Sequence, residues 1–143
     1  MYGMLFPVIA GILISLQSVF NTRITEKAGL WETNTLVHLM GLAMTLVFLW
    51  FQGDGSLKKL LDVNWYYLLS GFFGTFIIFG IIKGVMAIGP TLTIATLLIT
   101  QLIVACLIDC TGSFGVPQVK FDLTKLAGIG LMVGGIIVFR LKG

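Results

Sequence analysis

Between Tyr2 and Phe139 the chain passes through one apolar stretch after another, with only short polar breaks between them. A helix needs roughly 20 mostly apolar residues to cross about 30 Å of hydrocarbon. The stretches fall at about residues 2–22, 32–51, 65–87, 91–109 and 123–139, and 143 residues then leave almost nothing for a soluble domain. The expected fold is an all-α integral membrane protein of five transmembrane helices, with residues 1–143 as a single membrane domain in the lipid bilayer. Charge is scarce to match. Only 10% of the residues are charged, against roughly 25% in an ordinary soluble domain.

The breaks carry recognisable punctuation. Arg23, Glu26 and Lys27 mark the exit of the first span, and Trp31 and Trp50 bracket the second where amphipathic rings favour an interface. Gln52-Gly53-Asp54-Gly55-Ser56 ends that helix, and residues 57–62 are long enough for one interfacial turn. The third span opens on Trp65-Tyr66-Tyr67 and stops before Gly89-Pro90, a turn signal. Residues 110–122, with Gly112, Gly115, Pro117 and Lys120, form the longest polar connection. Neither Lys nor Arg precedes the first apolar run, as a cleavable signal would require, so the first helix is expected to be retained.

Five spans put the two ends of the chain on opposite sides of the membrane. Lys58, Lys59, Lys120 and Lys125 then fall on one side, and Arg23, Lys27, Lys83, Arg140 and Lys142 on the other, four against five. Orientation follows the Lys/Arg bias of short loops, so this split gives the insertion machinery little instruction. Two readings stand. Either the chain inserts both ways and pairs as an antiparallel homodimer, or the near-equality is chance in a small set and one interfacial lysine settles the orientation.

No span carries a central carboxylate of the kind that marks proton relays, and what remains is a set of neutral polar groups that line up by helical geometry. Gln17 and Asn21 share a face of the first helix, beside a stripe of Gly11, Ser15, Ser18 and Thr22. Asn34, His38, Gly41 and Thr45 form one stripe of the second. His38, the single histidine, is either a proton-sensitive group facing a cavity or a helix-end histidine bonded to nearby backbone or water. Thr93, Thr96 and Thr100 share a face of the fourth helix; threonines there satisfy themselves on the preceding turn, which leaves Gln101 as the better candidate for a cavity. Gln17, Asn21, Asn34, His38 and Gln101 are therefore the candidate substrate-binding residues, facing one shared cavity.

Gly80-x-x-x-Gly84 and Gly130-x-x-x-Gly134 let helix backbones approach closely, and Gly128 and Gly135 add a second small face to the fifth helix. Lys83 reads as a snorkelling side chain. Cys106 and Cys110, one turn apart in an apolar run, read as packed thiols. No phosphate loop, dinucleotide fingerprint or metal-spaced His/Cys cluster occurs, so neither an enzyme nor a cofactor or metal site is expected. Nine scattered cations make no tract for nucleic acid.

The Gly11 to Gln17-x-x-x-Asn21 segment with its basic exit, the Trp65-x-x-x-x-x-Gly71 start, and the Gln101 helix followed by Asp109 and a glycine-rich loop together resemble the YdcZ-type proteins. These are small inner-membrane exporters of the drug/metabolite transporter superfamily, and the likeness extends over essentially the whole chain. It implies a five-helix unit equivalent to half of a ten-helix inverted-repeat architecture, located in the bacterial inner membrane as a multi-pass protein. The related small multidrug resistance proteins carry a first-helix glutamate that exchanges protons for cationic drugs. The comparable depth here holds Ser15 and Gln17, which favours a neutral or zwitterionic small-molecule substrate. Three functions compete: a transporter working as a dimer by alternating access, a dual-topology pore lined by the threonines of residues 91–100, and a non-transporting subunit of a membrane assembly.

Overall fold

The computed structural model describes residues 2–53, 55–119 and 122–141. Asp54 of the expected turn, and Lys120 and Lys142 of the charge count, lie outside the described residues. Every regular element among the described residues is helical: α1 (Leu5–Ala28), α2 (Leu30–Gln52), α3 (Trp65–Leu68), α4 (Ser70–Thr111) and α5 (Leu123–Leu141), with short 3-10 turns at Tyr2–Met4, Leu57–Asp62 and Ser113–Gly115. The turn expected over residues 57–62 is thus present. The chain divides into two compact units, Met1–Ala87 and Ile88–Gly143.

The boundaries depart from the hydropathy pattern where polar residues prolong a helix. α1 runs six residues beyond the expected exit at Thr22, because Arg23, Glu26 and Lys27 are compatible with a helix and Arg23 pairs with Glu26 one turn away at 3.1 Å. What ends α1 is backbone. Gly29 adopts φ 102° and ψ 160°, a region that is essentially glycine-only, and α2 starts at the next residue. Two hydroxyls close this hairpin: Thr33 donates to the Gly29 carbonyl at 2.7 Å, and Thr25 donates to Thr33 at 3.0 Å.

Gly89 repeats the device. Its φ of 78° and ψ of 165° interrupt α4, and Thr93, four residues on, donates to its carbonyl at 2.7 Å. Without that break the 47 residues from Trp65 to Thr111 would run about 70 Å as one helix, more than twice the hydrocarbon thickness of about 30 Å. There are four to five long apolar helices, four if hydrogen-bonded continuity defines them and five if the dihedrals at Gly89 do.

In the second unit, Gly112 caps α4 in the left-handed conformation (φ 63°), and the following loop folds back on the helix end, Gln118 Nε2 donating to the Cys110 carbonyl at 2.7 Å. Asp122 opens α5 as its N-cap: the Thr124 hydroxyl donates to Oδ2 at 2.9 Å and the Thr124 N–H to Oδ1 at 3.4 Å. The side-chain bond from Thr124, and then the backbone one, hold the Asp122 carboxyl below the usual carboxylate range.

Burial is inverted relative to a water-soluble domain. Among the described residues the buried apolar ones are Ile82, Val85 and Ile99, whereas Ser18, Asn21, Thr22, Thr25, Thr33, Asn34 and Thr93 are buried polar ones. Small polar side chains admit close helix approach, and large apolar ones are turned outward to a medium as apolar as themselves.

Candidate functional site

Serine and threonine hydroxyls inside the helices dispose of their own hydrogen bonds. Ser15 donates to Gly11 O, Thr22 to Ser18 O, Thr45 to Gly41 O and Thr100 to Thr96 O, all at 2.8–3.0 Å. This is the back-bonding to the preceding turn that leaves a helical hydroxyl without further demands. An asparagine amide carries two donor hydrogens and an oxygen that one such bond does not exhaust. Asn21 and Asn34, only 5% and 2% exposed, are accordingly the buried side chains most in need of partners.

Asn34 finds one across the seam between α2 and residues 70–87 of α4, where its Nδ2 donates to the backbone carbonyl of Thr75 at 2.9 Å. That bond fixes which end of the amide is which, because a carbonyl only accepts. The other end, Oδ1, is buried and has no partner among the described residues. Leaving such an acceptor unpaired costs about 1–3 kcal/mol. One turn on, His38 Nδ1 lies 2.9 Å from the Asn34 carbonyl oxygen. By the same logic Nδ1 carries the hydrogen, so the neutral ring presents a lone pair at Nε2. Nε2 faces the backbone of Gly74, 3.4 Å from where a Cβ there would stand. Trp31 stacks on Phe79 with ring centroids 5.4 Å apart. The pairs Trp31–Phe79, Asn34–Thr75 and His38–Gly74 therefore step along one antiparallel helix–helix seam.

A cavity of about 390 Å³ opens along this seam, with Trp31, Asn34, His38 and Thr75 in its wall. A second, of about 640 Å³, lies between α1 and α2 and is lined by Gln17 and Asn21 together with Phe20, Met40 and Gly41. The sequence-derived candidates are thus placed in two grooves on different sides of α2, Gln17 with Asn21 and Asn34 with His38. Gly41, expected on the Asn34–His38 stripe, borders the α1–α2 groove. Gln101 is an exposed residue of the second unit. That unit has its own cavity of about 340 Å³, where Cys106, Asp109 and Lys125 meet Gly128. Cys106 and Cys110 are free and half-buried.

The His38 ring is bonded to the preceding turn's backbone and also borders a cavity. Residue types alone did not bring Thr75 forward, because it contributes a main-chain oxygen, which no side-chain pattern reports. Trp31 gave the signal of an interfacial ring, and its stacking on Phe79 is what makes it a wall of the site.

A chain of long apolar helices that buries small polar side chains and turns its large apolar ones outward is a multi-pass membrane protein. The family described as "Putative inner membrane exporter, YdcZ" matches residues 2–138, and this chain belongs to it. The chain is 33% identical over 138 residues to the inner membrane protein YdcZ of Escherichia coli (strain K12), a match that covers 94% of this chain and 93% of that protein. No solved structure matches. The protein is therefore located in the inner membrane and belongs to a family of exporters rather than of enzymes.

Proposed function

We propose that the chain, acting as a single membrane domain of five spans, is one half of an exporter that works as a homodimer of oppositely oriented copies. The pair corresponds to the ten-helix inverted-repeat architecture of drug/metabolite transporters. It carries a small neutral or zwitterionic molecule by alternating access. The observation that carries this reading is the buried, incompletely paired amide of Asn34 beside His38 in a cavity within apolar helices. Polar groups inside a membrane are costly and are retained where a pathway uses them. Gln17 and Asn21 line the separate groove on the other side of α2, and Gln101, exposed in the second unit, is a further candidate for substrate contact.

Two features support the dimer. Loop cations divide four against five between the two sides, which leaves orientation undirected. α5 buries none of its residues, and within its own unit a Cβ on Gly128, Gly130, Gly134 or Gly135 would meet no atom within 4 Å. Two such small faces suit the close approach of other helices. Oppositely oriented copies supply the inverted-repeat symmetry that transporters of this kind otherwise build into one chain. The test is a C-terminal reporter that reads orientation in cells. Both orientations are expected, and three lysines added within residues 53–64 should drive the population to one. A uniform orientation unmoved by those lysines refutes the antiparallel pair.

A further inference from the structure

The α2–α4 cavity is asymmetric in its hydrogen-bonding chemistry. Asn34 spends a donor hydrogen on the Thr75 carbonyl and His38 spends its Nδ1 hydrogen on the Asn34 carbonyl, both inside the protein. Asn34 is left with the lone pairs of Oδ1 and one Nδ2 hydrogen, and His38 with the lone pair of Nε2. Trp31, Leu39, Leu42 and the threonines Thr35 and Thr75 make up the rest of the wall. No described residue donates to Asn34 Oδ1, although Asn34 is 2% exposed.

We infer that this cavity recognises an N–H donor group on an apolar body, with Asn34 Oδ1 and His38 Nε2 as its acceptors and Trp31 as its wall. The inference rests on the export reading and names the substrate class of that site. In the state described here Oδ1 is closed in. A ligand that brings an N–H to it relieves the unpaired oxygen, so its binding favours the conformation in which α2 and residues 70–87 of α4 have parted enough to admit it. An apolar ligand without a donor leaves both acceptors unpaired and lacks this advantage. An amide or amine of a free solute and the ammonium of a phosphatidylethanolamine headgroup share the required chemistry. The cavity wall begins at Trp31, two residues past Gly29, the break between α1 and α2.

The experiment uses the full chain in phosphatidylcholine nanodiscs, whose lipids carry no N–H. Phenylacetamide and its N,N-dimethyl counterpart are titrated, with binding read from the fluorescence change that disappears in Trp31→Phe. The primary amide is expected to bind at least about tenfold more tightly than the dimethyl compound. His38→Asn keeps a donor towards the Asn34 carbonyl but removes the Nε2 acceptor, and should lose most of that preference. His38→Gln places an amide oxygen at the Nε2 position and should keep most of it. No binding of the primary amide, equal binding of the two probes, or a preference unchanged in both His38→Asn and Asn34→Leu overturns the inference. Adding phosphatidylethanolamine separates the sources: competition assigns the donor to a lipid headgroup, its absence assigns it to a solute, and either supports N–H recognition. Binding is read without flux, so loss of the preference removes the ligand class and leaves export standing. A preference kept with no flux of the primary amide in proteoliposomes removes export and leaves the site.

Discussion

Replacing Asn34 with leucine, a side chain of similar size, should make the protein more stable while removing its transport. Asn34 contributes one interhelical hydrogen bond, Nδ2 to the Thr75 carbonyl at 2.9 Å. Bonds of that kind between membrane helices average about 0.6 kcal/mol and reach about 1.7 kcal/mol at most. The same side chain holds Oδ1 buried and unpartnered, a cost of about 1–3 kcal/mol. Leucine forfeits the first and abolishes the second. Thr75 O loses less than Oδ1 was costing, because a helical carbonyl keeps its place in the backbone ladder. The net change is therefore a stabilisation of about 0.5–2 kcal/mol on the difference between these contributions. Reversible unfolding of the purified protein in mixed micelles gives the free energy, and flux in proteoliposomes gives the function. Natural proteins keep destabilising groups where activity needs them, so a rise in stability with a loss of flux is the signature expected. A destabilisation of more than about 1 kcal/mol with flux intact would show that Asn34 is structural glue, and that its unpaired oxygen finds a partner in the membrane.

Gly29→Ala and Gly89→Ala should each destabilise the protein by about 1–3 kcal/mol, since both glycines occupy a glycine-only backbone region; Gly80→Ala, at an ordinary helical position, should be neutral or mildly stabilising, and three equal effects in the same unfolding assay would refute the role of Gly29 and Gly89 as backbone breaks. Gln17→Leu and Gln101→Leu should strongly reduce flux without changing insertion or dimer formation, because neither residue belongs to a small-xxx-small pattern; normal transport by both would make them ordinary helix–helix groups. Asp122 has a folded-state pKa below its unfolded one, so the capping stability it lends α5 is present above the unfolded value and is lost as pH falls through the folded one. The Thr124 amide resonance should accordingly titrate with a midpoint below that of a free aspartate, about 3.9, and should not titrate in Asp122→Asn; a midpoint at or above that value would contradict the cap.

Hydropathy over a window of about 20 residues is a sum, and sums survive local errors. That is why the membrane character and the helical class could be read from residue types alone. The turn at Gly89-Pro90 was legible for a local reason, proline and glycine restricting the backbone whatever surrounds them. Helix ends were less so. Arg23, Glu26 and Lys27 looked like an exit to water, yet a charged residue does not stop a helix, and α1 ran on until the dihedrals of Gly29 ended it.

The candidate site divides in the same way. Periodicity placed Asn34 with His38, and Gln17 with Asn21, because residues four apart on a helix share a face by geometry. Which neighbour each face meets is not a property of one helix. Packing turned the Asn34–His38 face to residues 70–87 of α4, and placed Gln17 and Asn21 in a separate groove on the other side of α2. The partner that pins Asn34 is the main-chain oxygen of Thr75, a group every residue carries, so its role arises from the register of one helix against another. The sequence by itself determined which groups a membrane would make costly; only the tertiary structure decided which of them are paid in hydrogen bonds and which, like Asn34 Oδ1, are left owing, because pairing depends on distances across helices that residue order does not set.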